Sequence, residues 1–178
     1  FTSAFESYWS RDAEPITDVL NLEVIRIFAT NLVPSCTQGS IESRSACALA
    51  ATISGIAYSN SHPNVCHAVG SPLTLFWNVA HGQAVGITLT TFLKWNASAI
   101  SDKLPALWKA LGVENLNEAT ILLTQIMKEC GLTSRLIRLG IRHDDLETVL
   151  KHIRWDRLGV LPRPLDINEA RTLLKDLI

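Results

Sequence analysis

Of the five histidines in this 178-residue chain, His67 and His81 are the pair whose placement suits chemistry. They stand fourteen residues apart, on either side of an apolar, turn-containing segment. Neutral imidazole is the commonest ligand for borderline divalent ions such as iron, zinc or nickel, and two converging histidines with a carboxylate make a partial metal site. Spacing alone favours the blander reading of two satisfied structural histidines. His81 adds a local reason for the sharper one. It precedes Gly82 at the start of an expected helix, where the positive end of the backbone dipole disfavours imidazolium and leaves a lone pair free. His62 lies in a polar loop and His143 and His152 sit among charges, so these three read as surface residues. Cys66, beside His67, reads as a small buried residue, with a reactive thiolate as the alternative. Arg44 and Lys94 read as solvated charges, with contact to an anionic substrate as the alternative. Trp9, Trp77, Trp95, Trp108 and Trp155 read as core or interface anchors, and Trp77, between the two histidines, is also placed to line a substrate pocket.

The elements that must position these residues are helices. Alternating β-branched and polar runs are scarce, and no Asn-Gly or Asp-Gly hairpin dipeptide occurs. Apolar spacing predicts a first clear helix from Pro15 that ends before Pro34, and a second from an N-cap at Ser40 to about Tyr58. The second is apolar on nearly every side after its first turn, the pattern of a helix at the buried centre of a bundle. A loop over Ser59 to Asn64 leads into a short helix, Val65 to Leu75, ahead of Asn78. One apolar helix is then expected over Gln83 to Trp95. More amphipathic outer helices follow, around Ser101–Leu111 and Asn117–Cys130 with Gly131 as a stop. One capped by Asp144 and Asp145 runs through Ile153, and the last spans Ile167 to Leu177. Neither a repeat nor a linker divides the chain.

Composition limits the class. An apolar fraction of 47% with 19% charged residues is that of an ordinary globule, and 178 residues suffice for one real core. A net charge of −1 provides no global field for nucleic acid or an anionic membrane. Cys36, Cys47, Cys66 and Cys130 are scattered with no CxxC pair, which reads as reduced thiols of a cytoplasmic protein. The apolar stretch from Ala46 to Tyr58 falls short of the roughly 20 residues of a membrane span. The chain opens Phe1-Thr2-Ser3 with no initiator Met and no signal peptide, which reads as a segment with something upstream.

The run Cys66-His67-Ala68-Val69-Gly70-Ser71-Pro72-Leu73, followed by Asn78-Val79-Ala80-His81-Gly82-Gln83-Ala84, resembles the signature of the iron-containing (group III) alcohol dehydrogenases. That signature is a His, a small residue, three positions and Pro-Leu, then a His-Gly-x-Ala stretch whose His falls fourteen residues on. Phe5 to Ser10 is similar to the family's Glu-x-Tyr block, Pro15 to Leu22 to the helix after it, and Ala50 to Asn60 to its Ala-Gly-Ile-Ala-Phe-Ser-Asn helix. Leu139-Gly140-Ile141, Asp144-Asp145-Leu146 and Pro162-Arg163-Pro164-Leu165 resemble its closing blocks. The resemblance covers essentially the whole chain.

The resemblance implies an all-α helical bundle like the C-terminal domain of dehydroquinate synthase-like and iron-containing alcohol dehydrogenase proteins, with residues 1–178 as a single helical metal-binding domain. It implies hydride transfer from NAD(P), held by an N-terminal nucleotide-binding domain absent from this chain, to the metal-polarised carbonyl of a small aldehyde. The implied cofactor is a divalent metal, iron first and zinc or nickel as alternatives, with His67 and His81 as two of its ligands. The remaining family ligands, an Asp and a His, map to two residues before Phe1 and to Ser3. A family His often assigned to proton relay falls on Ser71. No catalytic or nucleotide-binding residue is assigned within the chain. Phosphonoacetaldehyde reductase-like members also lack the early His and are the most similar in look, and homo-oligomers are implied. Two alternatives stand beside this reading: a dehydroquinate synthase-like lyase, and a non-catalytic helical module for dimerisation or partner binding, which Ser3 and Ser71 keep open and which predicts an exposed apolar face.

Overall fold

The computed structural model describes residues 1–178 and contains helices, turns and loops without a strand. In chain order the helices are α1 (Thr2–Trp9), α2 (Pro15–Thr37), α3 (Ile41–Ser61), α4 (Val65–Trp77), α5 (His81–Gly86), α6 (Leu89–Asn96), α7 (Leu104–Leu111), α8 (Leu116–Glu129), α9 (Leu146–His152) and α10 (Ile167–Lys175). They pack around one contiguous core that extends from Ala4 to Ile178. No helix is long and apolar enough to cross a membrane.

α1, which apolar spacing did not reveal, lies at the centre. All of its residues except Ser3 are buried. Eight residues are too few to hold a helix in water, so tertiary contacts must supply its stability. Trp9 donates its indole N–H to Asn64 Oδ1 at 2.9 Å, and Tyr8 donates its hydroxyl to the Lys103 carbonyl at 2.9 Å. Lys103 in turn reaches Asp18 at 2.8 Å and the Tyr8 carbonyl at 2.8 Å. Burial, with Asp18 and Asp102 nearby, pushes the Tyr8 phenol up to about 12, which keeps it a donor.

Three expectations need correction. α2 does not stop before Pro34 but continues to Thr37. A proline removes one backbone bond, and packing of α2 against α1, α3, α7 and α8 along its length outweighs that loss. α3 begins at its expected cap, with Ser40 Oγ accepting from the Ser43 N–H, but it is not the buried centre. Ala50, Ser54 and Ala57 face inward, whereas Leu49 and Ile56 are each 56% exposed. Small residues had made the helix look apolar all round, although only one stripe is covered. The helix expected over Gln83 to Trp95 is two helices, α5 and α6, divided at Ile87–Thr88.

α4 is the other central helix. Its N-terminus is capped by Asn64, whose Oδ1 accepts from the Val65 N–H at 2.9 Å. Pro72 lies inside it and has no N–H to offer the Ala68 carbonyl. That carbonyl instead meets the backbone N–H of Arg154 at 3.5 Å, which fastens the turn before Trp155–Val160 to α4. The helix ends at Asn78 in the left-handed region, φ 52°, with its N–H bonded to the Leu73 carbonyl. Gly70 lets α5 press onto α4. A Cβ there would sit 2.9 Å from Val85 Cγ1 and 3.1 Å from the Ala84 backbone.

Two predictions follow from this packing. Gly70→Ala gains about 1 kcal/mol of helix propensity but forces α5 away at a cost of up to about 3 kcal/mol. The net result is a lower midpoint in chemical denaturation. Cys66 is fully buried, and burial, then the nearby Glu6 charge, raises its thiol well above the ordinary range, whereas Cys36 is exposed. Iodoacetamide at pH 8 should therefore label Cys36 in the folded protein and leave Cys66 unmodified until denaturant is added, as read by peptide mass spectrometry.

Candidate functional site

His67 sits in the first turn of α4, and His81 is the first residue of α5. The left-handed turn at Asn78 reverses the chain between them and brings the two imidazole rings to a centroid separation of 5.4 Å, with their planes 59° apart. His81 opens its helix as expected. Both rings line a cavity of about 260 Å³ whose remaining wall is mostly apolar, including Leu32 from α2 and Leu123 and Ile126 from α8. Ser3 of α1 lines the same cavity. Three helices thus place the two histidines and the serine around one space.

His67 does not stand alone. Its Nδ1 is bonded to Oε2 of Glu6, a carboxylate with no exposed surface. The other oxygen of Glu6 accepts from backbone N–H groups at the start of α4: Cys66 at 2.5 Å, Asn64 at 3.1 Å and His67 at 3.4 Å. A carboxylate on one imidazole nitrogen leaves the other, Nε2, as the nitrogen available to the cavity. This is the arrangement metal-binding histidines commonly show, in which an outer carboxylate fixes the ring and its tautomer. On that chemistry His67 and His81 fit two positions of a divalent-metal site. Ser3 places a neutral hydroxyl on the cavity wall, and no three His, Cys, Asp or Glu side chains cluster to complete a site within the chain.

Sequence reasoning placed Glu6 in a motif without giving it a contact. The signal was a lone acid between Phe5 and Tyr8 in a run otherwise free of charge, since a carboxylate buried among aromatic residues must find donors. Ser71 lies one turn after His67 and donates its hydroxyl to the His67 carbonyl at 2.7 Å, so it is engaged with the helix backbone. Trp77 packs on the core beside Phe76 and is not in the cavity wall. His62, 3.7 Å from Asp12, and His143 and His152 lie at the surface as expected. Arg44 and Lys94 are exposed and away from the cavity wall.

Comparison with known proteins bears on this geometry. Residues 1–177 match the family model of the Fe-containing alcohol dehydrogenase family, C-terminal. A 1,3-propanediol dehydrogenase of Klebsiella pneumoniae is 28% identical over 154 residues, covering 81% of this chain and 40% of the relative. A lactaldehyde reductase of Escherichia coli K12 is 28% identical over 153 residues, covering 82% of this chain and 40% of that protein. A crystal structure of a 1,3-propanediol oxidoreductase superposes with a TM-score of 0.92 at 25% identity, covering 99% of this chain and 49% of that one. The chain therefore spans less than half the length of the relatives it matches. Its helices, its paired histidines and the nearly complete family match agree, and the chain belongs to the Fe-containing alcohol dehydrogenase family, in which it corresponds to the C-terminal portion.

Proposed function

We propose that this chain is the metal-binding part of an NAD(P)-dependent alcohol dehydrogenase or aldehyde reductase, with His67 and His81 as two ligands of a divalent metal. The observation that carries the reading is the pair of imidazoles, 5.4 Å apart, on the wall of one largely apolar cavity. Iron is the metal the family name suggests, and zinc or nickel suit the same imidazole donors. A metal held there would act as a Lewis acid toward a carbonyl oxygen, and hydride would come from a nicotinamide bound by the other half of the protein. The chain's own residues hold the histidines in place on the wall of a largely apolar cavity. Ser71 keeps its proton on the His67 carbonyl, so proton delivery falls to water.

The relatives named for propanediol and lactaldehyde support a small alcohol or aldehyde as substrate. No Lys or Arg lines the cavity in this chain. An uncharged aldehyde is favoured over phosphonoacetaldehyde, whose phosphonate would gain no cation from these walls. The family match favours a dehydrogenase over a dehydroquinate synthase-like lyase. A second reading, a non-catalytic helical module, draws support from Ser3 in the cavity and from the exposed Leu49 and Ile56 on α3.

Elemental analysis and NAD(P)H oxidation with a panel of small aldehydes, on the full-length protein, separate the two. The dehydrogenase reading expects stoichiometric metal and turnover. It further expects His67→Ala and His81→Ala each to lose the metal and to cut turnover by at least about 100-fold, the scale on which losing one group that stabilises a developing oxyanion registers. Retained metal with an unchanged rate in either variant would remove that histidine from the site. Ser3→His should add a third imidazole and tighten zinc binding about tenfold or more, equivalent to about 1.4 kcal/mol, as measured by chelator competition.

A further inference from the structure

We infer that Glu6 is a positioning residue that fixes the tautomer of His67 and so turns its Nε2 lone pair toward the cavity. The inference rests on the reading of His67 as a metal ligand. Its support is the division of labour between the two carboxylate oxygens. Oε1 is occupied by the backbone N–H groups of Cys66, Asn64 and His67, all of which can only donate. Oε2 faces His67 Nδ1. A carboxylate can only accept, so the hydrogen between them belongs to Nδ1, and a neutral ring then carries its lone pair on Nε2.

The same bonds make the placement rigid. Glu6 has no exposed surface, and the N–H groups it accepts from belong to the helix that carries His67. Asn64 adds a return contact by donating its side-chain amide to the Glu6 carbonyl at 3.1 Å. The imidazole therefore cannot rotate about Cβ–Cγ without breaking a bond to a fixed, buried partner.

Glu6→Gln tests the idea with almost no change of shape. Three backbone donors demand an acceptor, so the glutamine oxygen takes the Oε1 position and its NH2 group meets Nδ1. That group donates, Nδ1 must then accept, and the ring proton moves to Nε2, where it blocks metal coordination. The readouts, all on the full-length protein, are the His67 ring 15N shifts in metal-free, 15N-histidine-labelled samples, and the zinc dissociation constant from chelator competition. The His67 signal is identified by its loss in His67→Ala. The wild type should show the Nδ1–H tautomer, and Glu6→Gln the Nε2–H tautomer with zinc affinity lower by about 10- to 100-fold. A residue that merely supported the fold would lower the melting temperature without exchanging the tautomer.

A wild-type Nε2–H tautomer, which is read without any variant, would overturn the inference. So would a Glu6→Gln protein that keeps both its tautomer and its zinc affinity. If His67→Ala leaves zinc binding unchanged, the ligand assignment fails, and the 15N shifts still decide whether Glu6 sets the ring.

Discussion

A carboxylate with no exposed surface joins the two innermost helices of this molecule. Removing a charged Glu from water costs several kcal/mol, and Glu6 recovers that cost only because α4 starts beside it. The first turn of a helix presents N–H groups that have no partner within the helix, and the backbone dipole makes that end favourable to a negative charge. The acid satisfies the helix and the helix stabilises the acid. The imidazole of His67 completes the set on the remaining oxygen. Fold and candidate site meet at this joint, since the bonds that start α4 also orient the ring that faces the cavity.

The residues after Glu6 extend the same logic. Ser7 is hydrogen-bonded to Ser61 of α3 and accepts from Asn21 of α2 at 2.9 Å. Tyr8 is tied to Lys103, and Trp9 to Asn64. Four consecutive side chains of an eight-residue helix thus reach α2, α3, α4 and the segment before α7. A helix has no single polar face at that spacing, because successive residues point about 100° apart. α1 can therefore serve neighbours on every side, which requires it to lie at the centre. Its stability is borrowed from each of them, and polar specificity replaces the apolar stripe that usually seats a helix.

Those features explain what the sequence disclosed and what it concealed. The helical class, the cap at Ser40 and the pairing of His67 with His81 rest on local rules or on a fixed motif spacing, and the structure carries all of them. α1 was hidden because its residues are chosen for tertiary bonds, so no periodic pattern remains. α3 misled because Ala, Ser and Gly look buried in composition, yet they cover little area and leave Leu49 and Ile56 in the open. Pro34 was read as a stop because a single lost bond is visible in sequence, whereas the packing that overrides it is not. The contact of Glu6 with His67 spans 61 residues, a separation that no local rule addresses.

The reversal at Asn78 makes the number of residues between the two histidines a structural constraint. His67 and His81 belong to different helices, separated by the rest of α4 and the left-handed turn at Asn78, with Gly70 pressed against Ala84 and Val85. One residue inserted in α4 between His67 and Trp77 would rotate everything after it by about 100° and shift it by about 1.5 Å, carrying one ring away from the other. A change of length is accommodated more readily in a surface loop such as the one between Gly131 and Arg135. Between the two histidines the length of the chain is thus as much a part of the site as the side chains.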